Sequence, residues 1–171
     1  MLNFLLRPLR LIAQVLTAND SARQTAWGFA IGMMVGLLPK GTLLAMMLAT
    51  LLCALSVNRT AGLLAVGVFS YLGWALDDFA HRLGAIVLTW EPARATFTAL
   101  YDMPLGPWIG FNNTVVMGQL LIGLYLFYPA YRFALVVAVR VQPRISKWLM
   151  RYKAIRWLRG AEIGAQWGLD G

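Results

Sequence analysis

Few side chains in this sequence could carry chemistry, and most of them stand between stretches with no charge at all. Lys40 lies in the triplet Pro39-Lys40-Gly41, with uncharged runs on both sides over residues 24–39 and 42–57. A charge at the tip of such a hairpin costs a few kcal/mol unless it is paired or reaches the interface. Lys40 could therefore meet an anion or a lipid phosphate, helped by backbone amides near Gly41, or simply snorkel to water. Asp77 and Asp78 close a third apolar stretch. Paired carboxylates there could bind a cation, relay protons or bridge to Arg82, but a solvated helix end explains them more simply. Asn112 and Asn113, with Thr114 and Gln119, fall in the longest uncharged run, residues 109–131. Amides in such a place mostly hydrogen-bond between helices, worth about 1 kcal/mol each. Asn58-Arg59 reads as a turn with one anchoring charge. Cys53 and His81 are the only cysteine and histidine, so no internal disulfide, thiol cluster or paired-histidine zinc site can form. No Ser/His/Asp or Cys/His triad can be assembled, and no glycine-rich loop joins a strand to a phosphate-binding helix. The expectation is a protein that is not an enzyme and carries no metal or cofactor.

The elements that must position these residues are helices in lipid. Of 171 residues, 60% are apolar and only 13% charged, and mean hydropathy is +0.65. Soluble domains carry roughly 25% charged residues. Gly28, Gly32 and Gly36 repeat every fourth residue and make one smooth helix face, which lets a second backbone approach closely in lipid. Ser21-Ala22-Arg23-Gln24 is a capping box that starts this helix. Apolar segments are expected over residues 24–38, 42–57, 60–76 and 109–131. Each hairpin arm holds about 16 residues, or ~24 Å of helix, against the ~20 residues that usually span. The arms either cross a thinned bilayer or form a re-entrant hairpin. Residues 79–108, with Pro92, Pro104 and Pro107, read as a broken interfacial region, where Trp90, Tyr101 and Trp108 suit the headgroup belt.

Both ends read as amphipathic. Residues 1–20 place Arg7 and Arg10 on one face of a helix lying in the headgroup plane. Residues 133–171 form a basic juxtamembrane tail: eight basic residues and no acidic one lie from Arg132 to Arg159, which suits anionic lipid headgroups rather than nucleic acid. The 77–102 connection has four acids against two arginines, so both termini are expected to be cytoplasmic. The fold class is therefore all-α: a polytopic helical membrane protein. It has a short-armed glycine-rich hairpin, two further transmembrane helices and an interfacial helix at each end.

The run from Ala26 to Gly41, WGFAIGMMVGLLPKG after its first alanine, followed by an apolar arm and Asn58, resembles a family of small bacterial membrane proteins. That family is known chiefly by this glycine-rich helix ending in proline. The later run from Gly110 to Gly118, GFNNTVVMG, looks like one subgroup. The resemblance covers about the central two-thirds of the chain. It implies the inner membrane of a Gram-negative bacterium and a gene beside a large AsmA-like envelope protein, of a class thought to carry lipid across the periplasm. It supplies no catalytic residues. The expected function is a non-enzymatic inner-membrane subunit of an envelope lipid-trafficking or biogenesis assembly. A small oligomeric transporter or channel is the alternative, since such proteins use broken helices and midplane polar groups. A lipid enzyme using Asp77, Asp78 and His81 ranks last. A homo-oligomer stays open.

Overall fold

The computed structural model of the protein describes residues 21–141. The interfacial helix expected over residues 1–20 and the basic amphipathic stretch after residue 141 lie outside the described residues. Those described are helices joined by short turns, with no strand among them. Each helix has a start or stop that the sequence explains. Helix α1 (Ala22–Leu37) opens on the Ser21 capping box: the Ser21 hydroxyl accepts from the Gln24 amide at 3.2 Å, and the Ser21 amide donates to Gln24 Oε1 at 2.9 Å. It ends because Leu38 is extended, at φ −68° and ψ 144°, the conformation that a following proline favours. Thr42 then starts α2 (Leu43–Ala54), accepting from the Ala45 amide at 3.2 Å while donating to Pro39 O at 2.9 Å. Asn58 starts α3 (Arg59–Ala75), its Oδ1 taking the Ala61 amide at 2.7 Å.

Beyond Leu76 the chain bends by 74° into α4 (Asp77–Leu88). Asp77 and Asp78 therefore belong to the first turn of α4 and do not close an apolar helix. Carboxylates at that position oppose the positive end of the helix dipole. Helices α5 (Glu91–Tyr101) and α6 (Gly106–Ile109) fill the proline-rich region. Helix α7 (Thr114–Val136) is the longest and continues as a π-helical turn over Val137–Val141. Its start corrects the expectation for residues 109–131. Gly110 has φ +85°, a left-handed conformation that stops α6, so Asn112 and Asn113 sit in a turn and not in a membrane-crossing helix. Arg132, expected to close that helix, lies within α7, exposed on its surface.

The packing is organised by backbones in close approach. A Cβ on Gly28 would strike the Asn58 carbonyl, one on Gly32 would strike Gly62, and one on Gly36 would lie 2.7 Å from Phe69 Cβ. Gly73 on α3 stands equally tight against Leu37 of α1. Residue numbers rise together along both helices, so α1 and α3 run parallel, and α2 must carry the chain back between them. Helix α7 runs antiparallel to α1: Leu38 packs with Val116, Met34 lies against Gly123, and the Trp27 ring is 5.0 Å from that of Tyr131. Helix α4 crosses α7 at a second glycine contact, with Gly84 against Thr114 O and Gly118 against Ala80 O.

The interior is built largely from small residues. Ala26, Ala30, Ala65 and Ala80 are fully buried, together with a few larger side chains around Met33, Leu37 and Leu38. The large apolar side chains are mostly outside: Tyr71, Trp74, Ile86, Trp108, Tyr125 and Tyr128 are all about 70% exposed or more. Among the described residues, the helical stretch Thr114–Arg140 is long and apolar enough to cross a membrane. The bent pair α3–α4 is long and apolar enough only when its two helices are taken together across the 74° break, and α2 is a shorter apolar helix.

Candidate functional site

The bend between α3 and α4 is held by a buried polar side chain. Gln119 reaches it from α7. Only 2% exposed, it donates through Nε2 to Gly73 O at 3.1 Å and to Asp77 Oδ1 at 2.7 Å. One amide thus ties the last turn of α3 to the first turn of α4. Its Oε1 accepts nothing from the described residues. The tie is possible because Gly118, next to Gln119, lets α7 come down onto the α4 backbone at Ala80. One turn further along α4, His81 Nδ1 lies 2.6 Å from Thr114 Oγ1. The arrangement fixes the angle of the bend with hydrogen bonds that would otherwise have to go to water.

The other singled-out residues are engaged elsewhere. Asp78 is exposed. Asp77 pairs with Gln119 and His81 with Thr114, and no hydrogen bond joins Asp77, Asp78 and His81 to one another among the described residues. Lys40 is turned back onto α1: its ammonium donates to the carbonyls of Val35 at 2.6 Å, Gly36 at 2.7 Å and Leu38 at 3.0 Å. These are carbonyls that a helix end leaves without intrahelical partners, and a cation there also meets the negative end of the dipole. The ammonium is thus engaged as a cap on the end of α1, while Lys40 itself remains exposed. Gly41 beside it has open space around its Cα. Pro39 acts through Leu38, as described above.

Asn58 is more deeply placed than a turn residue. It is 2% exposed, its amide donates to Gln24 O at 3.1 Å, and its carbonyl fills the notch left by Gly28. Gln24 returns the link by donating to Ser56 O at 3.2 Å. The start of α3 is thereby locked to the start of α1. Asn113 caps α7, with Oδ1 accepting from the amides of Val115 at 2.9 Å and Val116 at 3.3 Å. Asn112 is exposed. Gly28, Gly32 and Gly36 spend their smooth face on α3 of the same chain, which leaves that face closed to a partner protein.

Sequence reasoning missed two things here. The Gln119–Asp77 pair joins residues 42 positions apart, and no local pattern encodes it. The capping role of Asn113 has a local signal, since asparagine is among the favoured residues before a helix, but the apolar residues around it mask that signal. No group of three or more histidine, cysteine or carboxylate side chains that could hold a metal exists among the described residues.

No known family description matches the chain. A protein of Treponema pallidum (strain Nichols), named only as uncharacterized, is 26% identical over 130 residues, covering 76% of this chain and 80% of its own length. No solved structure matches.

Proposed function

We propose that the chain is an integral protein of a bacterial inner membrane with both termini cytoplasmic, serving as a non-enzymatic subunit of an envelope lipid-trafficking or biogenesis assembly beside an AsmA-like periplasm-spanning protein. The observation that carries the membrane part is the distribution of residue size. Glycine and alanine pack the helix crossings, and many of the rings and long aliphatic chains of α2, α3, α4 and α7 face outward. In water this leaves contiguous apolar surface far beyond what a monomer keeps. In lipid the outward chains are solvated, and small residues at crossings are the usual adhesive between helices. The hairpin turn at residues 38–42 is level with the start of α7, because Leu38 and Val116 share a cluster. That favours two short spans over a re-entrant dip. The subunit reading draws on the family resemblance of the glycine helix.

The transporter reading has one observation in its favour: a sharply bent pair of helices with a buried amide–carboxylate link at the break, the kind of interruption around which transporters build their sites.

Both parts are tested together in cells. The full chain, tagged at one end, should resist carbonate extraction and copurify in mild detergent with a larger periplasm-spanning protein. A single cysteine at position 40 in a Cys53→Ala background should react with an impermeant maleimide from the periplasmic side. Release by carbonate would refute the membrane placement. Recovery as a lone monomer would refute the subunit role, and liposome flux from the pure protein would then favour the transporter.

A further inference from the structure

The corner formed by α4, α5, α6 and the turn before α7 holds a cavity of about 270 Å³ that the tie at the bend does not use. Its lining combines the apolar side chains Phe97 and Phe111 with the polar side chains Arg94, Thr98, Tyr101 and Asn112. Gly106 lines it as well and is packed hard against the carbonyls of Leu100 and Tyr101. The residue before it, Leu105, is held at φ +78°, where a bulky side chain is strained. Strain of this kind persists where the surroundings enforce it, and it gathers at binding sites.

We infer that this cavity receives the phosphodiester headgroup of a glycerophospholipid from the leaflet facing the 77–112 corner. The inference rests on the membrane reading above. Three features select this ligand. Arg94 is a permanent cation whose planar fork matches phosphate oxygens. Among the described residues it pairs with Glu91, three residues earlier, at 3.5 Å with both side chains more than 70% exposed, an arrangement that holds a charge weakly. Tyr101 and Asn112 add exposed hydrogen-bonding groups to the same lining. The phenyl rings of Phe97 and Phe111 in that lining suit the glycerol and the first methylenes of an acyl chain. The aromatics around the corner, Trp90 at 62% and Trp108 at 72% exposed, are of the type that sits at headgroup depth. A cavity of this size falls just below the ~300 Å³ at which sites for whole drug-sized ligands begin. It therefore takes a headgroup and leaves the chains in the bilayer. Glu91 and the exposed Asp102 are the acidic groups nearby in sequence, and an incoming phosphate must displace Glu91 from Arg94.

The test uses the full chain in detergent micelles and dihexanoyl-phosphatidylglycerol as probe, read by tryptophan fluorescence and by isothermal titration. Saturable binding is expected. It should weaken about tenfold or more in Arg94→Gln, the loss expected when a charge-assisted hydrogen bond is removed. It should stay unchanged in Arg82→Gln, which alters an exposed arginine outside the cavity, and should tighten in Glu91→Gln because the competing carboxylate is gone. Dihexanoylglycerol, which lacks the phosphate, and inorganic phosphate, which lacks the glycerol, should each fail to compete at the same concentrations. Equal binding by Arg94→Gln, or full displacement by either competitor, would overturn the inference. Because this binding is read on purified protein, its failure is separate from failure to copurify with an envelope partner. Release by carbonate would remove the membrane premise on its own.

Discussion

Replacing glycine by alanine at two positions of the α1–α3 pair should change stability in opposite directions. At Gly32 the new methyl would meet Gly62, whose Cα lies 2.7 Å and carbonyl carbon 2.8 Å from the Cβ position. Ordinary carbon–carbon contact begins near ~3.5 Å, so the helices must part by close to 1 Å. The obstacle is backbone, which cannot rotate aside as a side chain can. Overpacking costs ~1–3 kcal/mol, and the upper end applies here because parting the helices also loosens the neighbouring crossings at Gly28 and Gly36. Alanine returns about 1 kcal/mol through its better helix propensity. The net expectation for Gly32→Ala is a loss of about 2 kcal/mol. Gly67 lies in the same α3 helix with nothing within 4 Å of its Cβ position. There only the propensity term acts, and Gly67→Ala should gain ~0.5–1 kcal/mol. The assay is reversible unfolding of the full chain in mixed micelles with rising dodecyl sulfate, followed by helical circular dichroism. If Gly32→Ala were as stable as the parent, or Gly67→Ala the more damaging of the two, the α1–α3 crossing would not be as described.

Two further perturbations probe the bend and the start of α7. Gln119→Leu should cost about 1–3 kcal/mol by stripping the hydrogen bond from Asp77 and one from the Gly73 carbonyl. Combining it with Asp77→Ala should cost less than the sum of the two, and strict additivity in that double-mutant cycle would deny the link. Asn113→Ala should lose about 1 kcal/mol as a missing helix cap, whereas Asn112→Ala should stay within about 0.5 kcal/mol. Equal losses would contradict the capping assignment.

How much of this could be read from the sequence varies with the range of the interaction. The Ser21–Gln24 box and the stop at Pro39 are local, so spacing alone gives them. The Gly28, Gly32 and Gly36 face is legible as a close-packing surface. Its mate is not, because small residues on a helix announce only that something comes near. Here that something is the α3 backbone from Asn58 to Val66, whose own pattern, with Gly62 in an apolar run, carries no label of its target. The pair Asp77-Asp78 looked like a helix end because charge stops an apolar run, yet a bend of 74° with one intervening residue allows the chain to stop one helix and start another at the same place. Asn112 and Asn113 were absorbed into an uncharged stretch because hydropathy averages over windows longer than a two-residue turn. Lys40 was visible as an anomaly, but its use depends on the chain folding back on carbonyls two to five residues earlier. The Gln119 tie and the cavity by Arg94 come from tertiary placement, which periodicity does not encode.

The parallel pairing of α1 with α3 also sets an order of events during synthesis. The notch at Gly28 is filled by Asn58, thirty positions further along the chain. Until that stretch has been made, the strip of bare backbone along α1 has no α3 backbone to fill it. The helix gains its mate when α3 follows, and only with α7 is its remaining flank covered. A chain halted before residue 58 would therefore leave the α1–α2 hairpin without the backbone that closes the Gly28 notch.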